Sequence, residues 1–65
     1  MTLKEFRQAK KLSQETFARK IGYTLSMYAK VEQQPSKASR KFIERVKSVY
    51  PEMDILEIFF AEKQQ

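Results

Sequence analysis

One glycine and two prolines in 65 residues leave the chain few places at which to turn sharply. Sheets built from short strands need tight turns, and tight turns need those residues. The chain is therefore expected to be all-α. The glycine is Gly22. It ends a stretch in which Phe17, Ala18 and Ile21 recur at helical spacing after Ser13, a good N-cap, and as a residue free to take positive φ it suits that place.

Four further segments carry helical patterns. Thr2 or Met1 precedes one with Leu3, Phe6 and Ala9 on one side. Thr24 caps another, whose apolar stripe is Tyr28 and Val31. Gln33 to Ala38 is a polar connection holding Pro35. Ser39 then caps a stretch with Phe42, Ile43, Val46 and Tyr50 at i, i+1, i+4 and i+8, which Pro51 stops. Asp54 and Glu57 resemble a capping box before a final helix over about 54–61. No repeat or linker divides the chain, so a single domain over 1–65 is expected, with a small core of marginal stability.

Charge is unevenly placed. Residues 1–43 hold ten Lys or Arg against three acids, and residues 44–65 hold three against five. A cationic first part and a mildly anionic last part suit a chain that turns one side to a polyanion. With no cysteine and no histidine, there is no disulfide, no thiolate metal site and no common general base. Neither a metal nor a cofactor is expected. There is no glycine-rich phosphate loop and little room for a substrate cleft, so an enzyme is not expected either. The N-terminus lacks the apolar core of a signal peptide. The longest apolar run, Ile58 to Ala61, is far short of the roughly 20 residues that span a bilayer. A cytoplasmic protein without membrane or small-molecule partner is the expectation.

The most informative segment is Gln14 to Glu32, QETFARKIGYTLSMYAKVE. Two short helices meeting near a right angle need a small residue where their backbones approach, and Ala18 supplies it. They need a sharp turn, at Gly22, and apolar anchors on both inner faces: Phe17, Ile21, Tyr28 and Val31. This is the pattern of a helix-turn-helix over about 14–32, in which the second helix enters the DNA major groove.

Several stretches together resemble the Cro and lambda-repressor class of helix-turn-helix domains, the XRE family: Leu3-Lys4-Glu5-Phe6-Arg7, Leu12-Ser13-Gln14-Glu15, Phe17-Ala18, Ile21-Gly22, Ser26, Tyr28 and Val31-Glu32. The segment from Phe42-Ile43 through Tyr50-Pro51-Glu52 to Ile58-Phe59 looks like the fourth and fifth helices of many phage-type members. The resemblance implies a five-helix lambda-repressor-like bundle with helices 2 and 3 as the helix-turn-helix. It also implies dimeric binding to a two-fold symmetric operator, and transcriptional control of phage or mobile-element type, with repression expected. It further implies that Arg7 and Glu32 form a partly buried, structural ion pair, and that Gln14 contacts phosphate or braces the third helix. The chain departs from the family at two turns, where Lys11 and Gln34 replace the usual glycines, and these turns are expected to be built differently. It departs again at the start of the third helix, where Leu25, Ser26 and Met27 replace long polar side chains.

Residues expected to meet bases are Leu25, Ser26, Met27, Ala29 and Lys30. Lysine can donate to guanine O6 and N7, serine can bond several base edges, and leucine or alanine can touch a thymine methyl. Ser13, Gln14, Tyr23, Thr24, Gln33, Lys37, Arg40 and Lys41 are expected near phosphate, with Lys10 and Lys11 as further neighbours. The helix starts at Ser13 and Ser39 offer free N–H groups there. In the last helix, Ile55, Leu56, Ile58, Phe59 and Phe60 provide more apolar surface than one stripe needs. Ile55, Ile58, Phe59 and Phe60 are therefore expected to form a homodimer interface. The competing function class is a protein-interaction module such as an antirepressor or a DNA-binding antitoxin, for which the tail Glu62 to Gln65 is short.

Overall fold

Five α-helices form in the computed structural model, which describes residues 1–60: α1 Leu3–Ala9, α2 Gln14–Lys20, α3 Leu25–Gln33, α4 Arg40–Val49 and α5 Ile55–Phe60, with a 3-10 turn over Pro35–Lys37. The expected end of the last helix at residue 61 and the short tail lie outside the described residues.

Each helix start is fixed by a side-chain cap. Thr2 Oγ1 accepts from Glu5 N while the Glu5 carboxylate accepts from Thr2 N, which makes a full capping box. Ser13, Thr24 and Ser39 accept from Thr16, Met27 and Phe42 N at 3.1, 3.2 and 3.1 Å. Asp54 Oδ1 accepts from Glu57 N at 3.1 Å, but the Glu57 carboxylate is taken by the amino group of Met1. Each such cap contributes about 1 kcal/mol, a large fraction for helices of six to ten residues that could not stand alone in water.

The core is aromatic. Phe17 sits at its centre, stacked on Tyr50 at 5.0 Å between ring centroids, tilted against Tyr28 at 5.1 Å and edge-on to Phe6 at 6.5 Å. Phe42 extends the network to Tyr28, Tyr23 and Phe59. Seven of the eight aromatic rings are joined in this way and only Phe60 stands apart. Ala18 is fully buried, as close packing of α2 and α3 requires.

Phe59 and Ile58, expected on a dimer face, belong to this core at 0% and 6% exposure. The short α5 packs against the 3-10 turn, with Phe59 edge-on to Phe42 of α4, which leaves Leu56 72% and Phe60 40% exposed and Ile55 half-buried. The two turns without glycine differ from each other. Lys11 takes φ 59°, the left-handed geometry a glycine would take, so this turn forms without one. Gln34 has φ −136° and leads into the 3-10 turn at Pro35, so no glycine is required there. Among the described residues, no helix is long and apolar enough to cross a membrane.

Candidate nucleic-acid interface

The third helix is fixed on one side and bare on the other. On the fixed side Tyr28 is fully buried, and Glu32 is the hub of a polar network. Its carboxylate accepts from Arg7 Nε at 2.7 Å, Arg7 Nη2 at 3.4 Å, Gln14 Nε2 at 2.7 Å and Tyr28 Oη at 2.6 Å. Arg7 Nη1 also donates to the Leu12 carbonyl at 2.8 Å. Three helices, α1, α2 and α3, thus meet on one carboxylate. Burial acts to raise the Glu32 pKa, but the bonds from Arg7, Tyr28 and Gln14 outweigh it and hold the carboxyl below its usual range. The same bond to Glu32 raises Arg7 against the opposing effect of burial. Burial first, and then the neighbouring carboxylate, push the Tyr28 hydroxyl well above its ordinary value.

Of the two roles implied for Gln14, the brace is present, as its side-chain amide donates to Glu32 of α3. Gln14 is half-buried.

On the bare side, Leu25 and Met27 are 46% and 51% exposed, Ser26 and Lys30 are exposed, and Ala29 is half-buried. Apolar side chains are normally turned inward, yet these two stay in water beside Ser26 and Lys30, which lie opposite Tyr28 on the helix. The phosphate candidates sit around that face. Gln33 ends α3, Lys37 lies on the 3-10 turn, and Ser39, Arg40 and Lys41 open α4. Among the described residues no acid lies within 4 Å of Lys30, Lys37 or Lys41, whereas Arg40 Nε donates to Glu44 at 3.2 Å. Between α3 and the start of α4 runs a groove of about 440 Å³. Met27, Val31 and Phe42 line it with Lys30, Lys37 and Ser39.

Some candidates are placed otherwise. Tyr23 is half-buried with its ring edge-on to Phe42. Ser13 and Thr24 are occupied as caps, although their residues remain exposed. Lys10 pairs with Glu52 and lies over the rings of Phe6 and Tyr50 at 5.2 and 5.6 Å, which ties α1 to the α4–α5 connection.

A helix-turn-helix family model matches residues 3–51. The chain belongs to this family, the XRE-type helix-turn-helix proteins. Searches against curated proteins and solved structures found no match. The matched span covers α1 to α4 and leaves α5 beyond it. Membership makes the chain a DNA-binding protein of the kind that regulates transcription.

Sequence reasoning missed two features. The groove beside α3 depends on how the 3-10 turn at Pro35–Lys37 folds back. A second contact, from Arg45 to the turn between α2 and α3, depends on the direction in which α4 crosses. No pattern within either segment reports such a crossing.

Proposed function

We propose that this XRE-family protein reads a specific duplex sequence with α3 in the major groove, as a homodimer on a two-fold symmetric operator, and represses transcription in the cytoplasm. One observation carries the reading: the exposure of Leu25, Ser26, Met27 and Lys30 on a helix that Tyr28 and Glu32 lock to the rest of the fold. Lys30 supplies a donor for guanine O6 and N7, Ser26 bonds a base edge, and Leu25 and Met27 offer apolar contact to thymine methyls. Lys37 and Lys41, both unpaired among the described residues, supply phosphate contacts that position without reading.

The dimer is supported by apolar surface that the fold leaves in water: Leu56 at 72%, with Phe60 and Val49 both at 40%. A second copy joined there would bring two copies of α3 roughly 34 Å apart, one turn of duplex. Exposed apolar side chains of this kind also suit a different protein partner, which is the antirepressor or antitoxin reading.

Selection from a random duplex pool tests the proposal. The wild type should enrich a palindromic motif. Lys30→Ala and Ser26→Ala should relax it at particular positions, by roughly 1–3 kcal/mol each, while Lys37→Ala weakens binding to all sequences alike. An unchanged motif for Lys30→Ala would remove that side chain from the readout, and failure to enrich any motif would remove the reading itself.

A further inference from the structure

The connection between α2 and α3 is held from α4 at two points. Phe42 and Arg45 lie three residues apart on α4 and so share a face. The Phe42 ring meets Tyr23 at 5.0 Å between centroids with the planes at 62°. Arg45 Nε donates to the Ile21 carbonyl at 3.1 Å. The two contacts fall on either side of Gly22.

The Ile21 carbonyl belongs to the C-cap of α2, where a helix cannot satisfy its own last acceptors. A guanidinium is favoured there by the negative end of the helix dipole. Gly22 makes room for it: a Cβ at that position would stand 2.2 Å from Arg45 Nη2 and 3.1 Å from Cζ. The φ of +80° is what requires glycine here; a Cβ would in addition push the flexible end of Arg45 off the Ile21 carbonyl.

Thr24, the cap of α3, follows two residues after Gly22, so whatever fixes this turn fixes the start of α3. We propose that Arg45 is a positioning residue for DNA recognition: with Phe42 it clamps the Ile21–Tyr23 turn and sets the angle at which α3 presents its outward face. The proposal rests on the reading of α3 as the base-reading helix. The competing role for Arg45 is direct contact with phosphate, since it is exposed and shares a shallow concavity with Arg19 and Lys20.

Two measurements separate these roles. The first is a thermodynamic cycle of Gly22→Ala, Arg45→Ala and the double variant, by urea unfolding. Gly22→Ala should reduce the folding constant roughly threefold to tenfold less when Arg45 is already alanine, because the Arg45 bond to the Ile21 carbonyl is then no longer there to lose. Additive effects would overturn the clamp. The second is the affinity of Arg45→Met for a labelled duplex selected by the wild type, at a temperature where circular dichroism shows both proteins fully folded. Affinity should fall about tenfold, the value of one misplaced base contact, with the slope of log K against log salt unchanged. A slope reduced by about one per bound chain would identify a phosphate contact and overturn the proposal. Unchanged affinity would reduce Arg45 to a purely structural role and overturn it as well. If the wild type selects no duplex at all, the reading of α3 fails and the recognition role fails with it, while the cycle still decides whether the clamp exists.

Discussion

Replacing Arg7 with methionine keeps the aliphatic stem and removes the charge that faces Glu32. The pair is nearly sealed from solvent, with side-chain exposures of 11% and 5%, so a stranded carboxylate could not recover its water. Arg7 supplies two of the four hydrogen bonds that Glu32 accepts, and a third bond to the Leu12 carbonyl. Breaking a buried pair from one side costs about 3–5 kcal/mol. A chain of this length has a total stability of about 3–10 kcal/mol, at ~0.05–0.15 kcal/mol per residue. Arg7→Met should therefore stand at the edge of unfolding in water at room temperature. Adding Glu32→Gln should restore about half of the loss or more, because a neutral amide oxygen still accepts from Tyr28 and Gln14 but has no charge to desolvate. Urea unfolding of the wild type, the single variant and the double variant measures all three. A loss below about 1 kcal/mol for Arg7→Met, the value of an exposed pair, would refute the reasoning. So would a double variant no more stable than the single.

Three further outcomes are expected. The Glu32 carboxyl is held below its usual value of 4.5, so its contribution is complete above that pH and is lost as the pH falls through the folded value; Glu32→Gln should flatten this acid limb of stability, and an equally steep limb would contradict the network. The Tyr50 hydroxyl is buried without a partner among the described residues, and such a group costs about 1–3 kcal/mol; Tyr50→Phe should raise the urea midpoint, and a lower midpoint would mean that the hydroxyl is satisfied. Phe59 is fully buried and Phe60 is 40% exposed; Phe60→Lys should keep helicity and abolish self-association in sedimentation, whereas Phe59→Lys should unfold the chain, and a wild type monomeric at all concentrations would remove the dimer.

What could be read from the sequence was local. Ser13, Thr24, Ser39 and Asp54 cap helices as expected, because a cap is decided by residues three apart in the chain. Gly22 sits at positive φ as expected, and the Arg7–Glu32 pair implied by the family resemblance is present. The exposure of Ser26 and Lys30 was likewise legible, from the position of Tyr28 on the same helix.

What could not be read depends on how helices cross. Ile55 to Phe60 offers apolar side chains nearly all round, so periodicity alone could not choose which edge faces inward, and Ile58 and Phe59 proved to be core. Lys11 at φ 59° shows a second limit. A left-handed lysine costs about 1–2 kcal/mol, which a turn held by the Leu12 N to Arg7 carbonyl bond and by Arg7 itself can sustain without a glycine to announce it. The Arg45 clamp is of the same kind, since Arg45 and Ile21 are 24 residues apart.

The central claim, that this chain binds duplex DNA through a cationic face centred on α3, is tested most directly by its salt dependence. The measurement is fluorescence anisotropy of a labelled duplex carrying the selected motif, titrated across a series of salt concentrations. Two copies neutralising four to eight phosphates should give a log–log slope of about −4 to −8. Absence of binding even at low salt, or an affinity indifferent to salt, would contradict it.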